Sequence, residues 1–125
     1  GLITNRSDSL TLDNAISGTG TLEQAGSGTT VLSGSNSYSG STTITSGTLQ
    51  VGSGGTSGTL GSGAVVNSSA LITNRSDSLT LDNAISGTGT LEQKGSGTTV
   101  LSGANSYSGT TTITSGTLQV GSGGT

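Results

Sequence analysis

The chain is expected to fold as an all-β parallel β-helix, or β-solenoid, and three observations carry that expectation. Residues 2–56 recur almost unchanged at residues 71–125. Gly, Ser and Thr number 24 each, so 72 of the 125 positions are one of three small types, while Pro, Cys, His, Met, Trp and Phe are absent. Single aliphatics return at near-regular intervals in three interleaved series.

The repeat comes first, because self-similarity at a fixed period marks repeat architectures. Leu2 recurs as Leu71 and Thr56 as Thr125, a constant offset of 69 positions. Only three of 55 positions differ: Ala25 against Lys94, Ser35 against Ala104 and Ser41 against Thr110. Residues 2–70 form a first unit and 71–125 a second, incomplete one, within one solenoid over 1–125. The absence of a starting Met and of a signal peptide suits a piece of a longer array.

Each unit divides into short runs bounded by Gly, Ser and Asn, the pattern of strand and turn. Nine runs are expected per unit, in three groups of three. They are Ser9–Leu12, Ala15–Ser17 and Thr21–Gln24; Thr29–Leu32, Thr42–Thr45 and Thr48–Val51; and Gly58–Leu60, Ala64–Val66 and Ala70–Thr73. Each group reads as one triangular coil, giving about three coils per unit.

Three core columns follow. The first is Leu12, Leu32, Leu60, Leu81 and Leu101, and the second is Ile16, Ile44, Val65, Ile85 and Ile113. The third is Leu2, Leu22, Leu49, Leu71, Leu91 and Leu118. In a strand successive side chains alternate between faces, so a short strand needs only one or two inward aliphatics. That makes a hydrophobic content of 26% sufficient here, although it is too low for an ordinary globular core. A narrow interior is expected to exclude Trp and Phe. Outward Thr suits extended backbone, Gly suits corners, and Pro would delete a ladder hydrogen bond. Helix is disfavoured by this composition. A disordered linker is the competing reading, and it does not explain columns that stay in step.

The segments Gly20-Thr21-Leu22, Leu32-Ser33-Gly34, Asn36-Ser37-Tyr38-Ser39-Gly40, Thr42-Thr43-Ile44 and Gly47-Thr48-Leu49-Gln50-Val51-Gly52 occur in that order. The second copy, over 89–121, matches equally. The series resembles the passenger-associated transport repeat of bacterial autotransporters. That resemblance implies a right-handed β-helical passenger, secreted through the outer membrane to the Gram-negative cell surface, with a role in secretion. It brings no catalytic residues. Ser41 and Thr110 depart from the family pattern, which has a second Gly there.

Charge narrows the partners. The net charge is −3 and Arg6, Arg75 and Lys94 are the only cations, so no basic patch exists for nucleic acid or anionic lipid. No apolar stretch approaches the roughly 20 residues of a membrane-spanning helix. Direct membrane insertion of this segment is therefore not expected. Without Cys there is no disulfide framework.

Some β-helices cleave polysaccharides, which takes two carboxylates roughly 5–10 Å apart. Asp8 and Asp13 flank one strand at roughly 16 Å, at about 3.3 Å per residue, and Glu23 belongs to another face. Their copies Asp77, Asp82 and Glu92 are expected about three coils away, roughly 14 Å at about 4.8 Å per coil. Serine has no His to activate it, and Lys94 has only Ala25 as its counterpart. Metal sites lack His and Cys, and no calcium-loop spacing is present. Gly52-Ser53-Gly54-Gly55 lacks the Lys and helix of a phosphate loop. The Thr-rich strands at 42–45 and 111–114 occur once per three expected coils, too sparse for an ice-binding face. No catalytic residue, cofactor or metal is assigned.

The nine-residue connection Ser33–Ser41 is the one irregular feature. It carries Tyr38, and its copy carries Tyr107. These are the candidate partner-contact residues, against the simpler reading of a Tyr folded down on the coil. The expected partners are neighbouring coils of the same passenger, with end-to-end self-association through uncapped terminal coils. Two functions remain: a structural stalk that promotes export by folding outside the cell, and an adhesive or self-associating module binding glycan or neighbouring cells.

Overall fold

A computed structural model describes residues 1–124 of the chain. Every strand pairs parallel with the strand one turn away. Among the described residues there is no helix. Turns are of unequal length: Thr30 lies next to Leu49 in one pair of rungs, whereas Thr42 lies next to Val65 in another. The molecule is a β-solenoid with three faces.

The first face stacks β1 (Leu2–Thr4), β3 (Leu22–Gln24), β5 (Thr42–Ile44), β7 (Val65–Asn67) and β10 (Ile85–Ser86). The second stacks β2 (Ser9–Leu12), β4 (Thr29–Leu32), β6 (Thr48–Val51), β8 (Ala70–Thr73), β11 (Thr90–Gln93) and β13 (Thr111–Ile113). The third begins irregularly with residues 16–18, 36–39 and 59–62. It then continues as β9 (Ser78–Leu81), β12 (Thr98–Leu101) and β14 (Thr117–Val120). The irregular rungs are still stitched together. Ser37 N–H donates to the Ile16 carbonyl (2.8 Å), Ser39 N–H to Gly18 (3.0 Å) and Ser62 N–H to Tyr38 (3.0 Å).

The connection Ser33–Ser41, irregular in the sequence, is more than a connection: residues 36–39 form a full side of the solenoid. The unit therefore has ten sides, at 2–4, 9–12, 16–18, 22–24, 29–32, 36–39, 42–44, 48–51, 59–62 and 65–67. Ten sides at three per turn make three and a third turns. The tenth side escaped the aliphatic pattern because it carries Asn36 and Tyr38 inward in place of Leu or Ile.

Equivalent residues of the two copies therefore lie on different faces. β3 on the first face recurs as β11 on the second, and β4 on the second recurs as β12 on the third. Residues 36–39 on the third recur as 105–108 above β10.

The core ranks are accordingly composed differently from the expected columns. Leu12 and Leu32 stack, but the rank continues to Val51 and Thr73, not to Leu60. Leu81 stacks on Leu101, on the third face. Val65 pairs with Ile85, whereas Ile44 pairs with Gln24 and Asn67. Leu49, Leu71 and Leu91 form one rank, while Leu22 stands between Leu2 and Thr42 on another face. The segment Gly58–Leu60 is not a strand, nor is Ala15–Ser17, although the copy of the latter is β10.

Leu22, Leu32, Ile44, Leu49, Leu60, Val65, Leu71, Leu81, Ile85, Leu91 and Leu101 are buried. Leu12, Ile16 and Leu118 pack against this cluster half-buried. Leu2 and Ile113 face inward but are exposed, because among the described residues each lies in the outermost rung of its face.

The corners explain the glycines. At Gly47 the backbone takes φ +66°, a left-handed conformation that side chains resist. A Cβ there would also run into the carbonyls of Gly26 and Gly28 one turn below. Coil stacking at strand spacing leaves no room for a side chain at such a corner.

Candidate functional site

The most organised chemistry of the molecule lies inside it and serves the fold. Gln24 faces inward at the end of β3, where it is buried. Its Nε2 donates to the carbonyls of Gly26 (3.0 Å) and Gly28 (3.1 Å), closing the corner into β4. Its Oε1 accepts from Thr4 Oγ1 (2.8 Å) in the coil below. Gln93 repeats the arrangement with Gly95, Gly97 and Thr73 (3.1, 3.1 and 2.9 Å). The same sequence thus builds the same corner on two different faces.

Asparagines stitch coil to coil. Asn36 Oδ1 accepts from Ile16 N–H below (2.9 Å), and its Nδ2 donates to the Thr59 carbonyl above (2.8 Å). Asn83 Nδ2 donates to Gly61 and Gly63 (2.8 and 2.7 Å). Asn67 Nδ2 donates to the Thr90 carbonyl (2.8 Å). Among the described residues no buried side-chain polar atom lacks a partner. A fully satisfied polar interior fixes register, because a slipped coil would strand these groups at a cost of about 1–3 kcal/mol each.

These residues were not singled out from the sequence. A signal existed: Gln-x-Gly occurs four times, at Gln24, Gln50, Gln93 and Gln119. Each Gln donates its amide to the carbonyl of the Gly two positions on.

The two tyrosines require a correction. Tyr38 is among the largest fully enclosed side chains, with its hydroxyl against Thr42 Oγ1. Tyr107 is half-buried against the core cluster and makes the equivalent bond to Thr111 at 2.7 Å. Neither projects as a contact ridge, and an aromatic ring does fit the interior. The irregular side above Tyr38 supplies the room, since a Cβ on Gly61 would run into the ring.

The outer surface carries few charges. Arg6 makes a two-pronged bond to Asp8 (2.8 and 2.8 Å), and Arg75 makes one to Asp77 (2.9 and 2.9 Å). Hydrogen bonding from Arg6 and Arg75 holds the two carboxyls below the usual Asp range, and the same bond raises the already high value of Arg6. Arg75 does more than its copy. It also donates to the carbonyls of Gly58 and Thr56 (2.9 Å each), clamping the Gly-rich loop of the coil below. Glu23 accepts from Thr45 Oγ1 (2.9 Å) and Glu92 from Thr114 (2.6 Å), both on the outside. Lys94 and its counterpart Ala25 flank a corner glycine, Lys94 being exposed.

One cleft of about 330 Å³ opens on the third face between residues 59–62 and β9, lined by Asn36, Leu60, Thr80 and Asp82 among others. No backbone hydrogen bond joins residues 59–62 to 78–82 there. Among the described residues no group of three His, Cys, Asp or Glu side chains is placed to hold a metal ion.

These parts define a three-sided repeat solenoid whose organised residues serve coil stacking. The repeat itself has a family. Residues 22–51 and 91–120 match the family model of the passenger-associated-transport-repeat, so the chain carries two such repeats. Each match runs from one inward Leu, through five sides, to the end of a strand: β3 to β6 in the first copy and β11 to β14 in the second. The chain is also similar to an adhesin autotransporter, BmaC, of Brucella suis, with 47% identity over 78 residues, 62% of this chain. It spans about 2% of that relative's length. No solved structure matches. Both names describe passenger transport and adhesion, not a class of catalysis.

Proposed function

We propose that this segment is a structural stalk of a secreted bacterial surface passenger, and that it promotes export by folding coil by coil outside the cell. The observation that carries the reading is the contact pattern. Each strand pairs only with the strand one turn below and one turn above, so a newly emerged coil needs only its predecessor as a template. Leu49 bonds into rungs at Thr30 and Leu71 and to nothing more remote along the ladder. Folding that adds one coil at a time would prevent back-sliding through the outer membrane. The lack of Cys and Pro supports this, since neither a premature cross-link nor a slow isomerisation can stall the chain.

The test is to place Asp at Leu22, Leu49 and Leu71 together in the full-length protein. Each change buries a charge among buried aliphatics. Surface display should fall while synthesis and outer-membrane insertion stay normal. Unchanged display would mean that folding of this segment does not drive export.

A second reading, an adhesive or self-associating module, is favoured by the adhesin among its relatives. Sedimentation at rising concentration tests that reading: a monomer at all concentrations removes the self-association half of it.

A further inference from the structure

We infer that the solenoid hinges at the junction of its two units, opening the third face at the cleft between residues 59–62 and β9, with Arg75 and Asn83 as the two latches. The backbone ladder across this level is graded around the axis. On the second face four residues pair across it, Thr48–Val51 with Ala70–Thr73. On the first face two do, Val65 with Ile85 and Val66 with Ser86. On the third face none does, and among the described residues β9 is the edge of its sheet. The carbonyls of Asp77 and Leu81 accept from Thr98 and Ser102 in the turn above (3.0 Å each). The backbone groups of Ser78 and Thr80, which alternate with them, therefore face the cleft. A strand edge of this kind contributes no ladder bonds to the turn below.

Two side chains hold the third face shut instead. Before β9, Arg75 donates to the carbonyls of Thr56 and Gly58; after it, Asn83 donates to those of Gly61 and Gly63. Both donors belong to the second unit and all four acceptors to the first, so the latches span the unit boundary. Between them, Leu60 of the first unit and Leu79 and Leu81 of the second line the space of about 330 Å³. Interiors are ordinarily close-packed, and side chains beside a gap lose part of their dispersion contact, so packing opposes separation less here than elsewhere. Rotation about the β6–β8 ladder opens this level while the second face stays paired. The hinge is independent of whether the segment serves as a stalk or as an adhesive module.

Thiol labelling tests it, because the chain has no Cys of its own. Leu79→Cys places a thiol on the wall of the cleft, and Leu71→Cys places one in the continuous second-face ladder; both positions are buried. A thiol exposed by local opening reacts at a rate that low urea leaves unchanged, whereas one exposed by global unfolding reacts faster as urea rises. With an aromatic disulfide as probe, the rate at position 79 should be independent of urea and the rate at 71 should climb with it. Adding Arg75→Ala or Asn83→Ala should each speed the reaction at 79 about tenfold, equivalent to about 1.4 kcal/mol, since each removes two hydrogen bonds across the cleft. Leu60→Cys, on the opposite wall, and Leu49→Cys, in the second-face ladder, stand in for a variant that does not fold. A rate that climbs with urea at 79 would overturn the hinge, and so would a urea-independent rate at 71. A urea-independent rate at 79 that one of the alanine variants leaves unchanged would remove that side chain as a latch.

Discussion

The hydroxyl of Tyr38 lies 2.6 Å from Oγ1 of Thr42, and both side chains are buried. This bond ties an irregular side, 36–39, to the regular strand β5 that follows it, and it orients the one ring enclosed by the core. Removing the phenol oxygen leaves the Thr42 hydroxyl without this partner in the interior. Tyr38→Phe should therefore cost about 1–3 kcal/mol in chemical denaturation. The same change at Tyr107, whose bond is exposed, should cost clearly less. Equal losses at the two sites would contradict the burial difference.

Gln93 closes its corner by giving one amide to two carbonyls, and Gln119 gives its amide to one carbonyl from an exposed position. Gln93→Ala should destabilise the chain by about 2–5 kcal/mol, combining lost hydrogen bonds with a cavity. Gln119→Ala should fall within about 0.5 kcal/mol of the original, as surface changes do. Amide hydrogen exchange should localise the Gln93 effect to Gly95 and Gly97.

The cost of replacing a glycine depends on its φ and on how crowded its corner is. Gly47→Ala imposes a side chain on φ +66° and on the carbonyls of Gly26 and Gly28. It should cost more than the about 1 kcal/mol of an ordinary conformational penalty. Gly55 has open space around it, and Gly55→Ala should be neutral or slightly stabilising. The midpoint of urea unfolding for the two variants checks the contrast.

The Arg-Ser-Asp segments of the two copies should respond unequally. Arg75→Ala loses the two loop carbonyls as well as Asp77 and should cost about 1.5–3 kcal/mol. Arg6→Ala should be nearly silent, since its pair with Asp8 is exposed. Acid dependence follows from the lowered carboxyls. Asp8 and Asp77 ionise more readily in the folded chain than in the unfolded one. Their contribution is therefore fully present above the unfolded value of about 3.9 and is lost as pH falls through the lower folded value. Through these two groups, stability should be flat between pH 7 and 5 and decline below about pH 4. Asp77→Asn should shrink that decline, which denaturation curves at stepped pH would show.

The fold class and most core residues were legible in the one-dimensional pattern. A fixed repeat in which Leu22 recurs as Leu91 and Leu2 as Leu71, with Leu49 between, points to stacked coils. Leu22, Leu49, Leu71 and Leu91 are all buried. The repeat family was legible too, because Asn36 to Gly40 and Gly47 to Gly52 recur in a fixed order. Which residue lies over which was settled in three dimensions. Hydrophobic spacing counts a side only if an aliphatic marks it, and residues 36–39 are held in by Asn36 and Tyr38 instead. Missing that side made nine of ten and hid the rotation between copies. The polar corners were hidden for a related reason. Gln24 looks like a surface residue in any linear pattern, and only the approach of Thr4, Gly26 and Gly28 around it makes the interior its most favourable place. Local sequence sets what each side can be, whereas the number of sides per turn is set by how backbone carbonyls and amides of neighbouring coils meet.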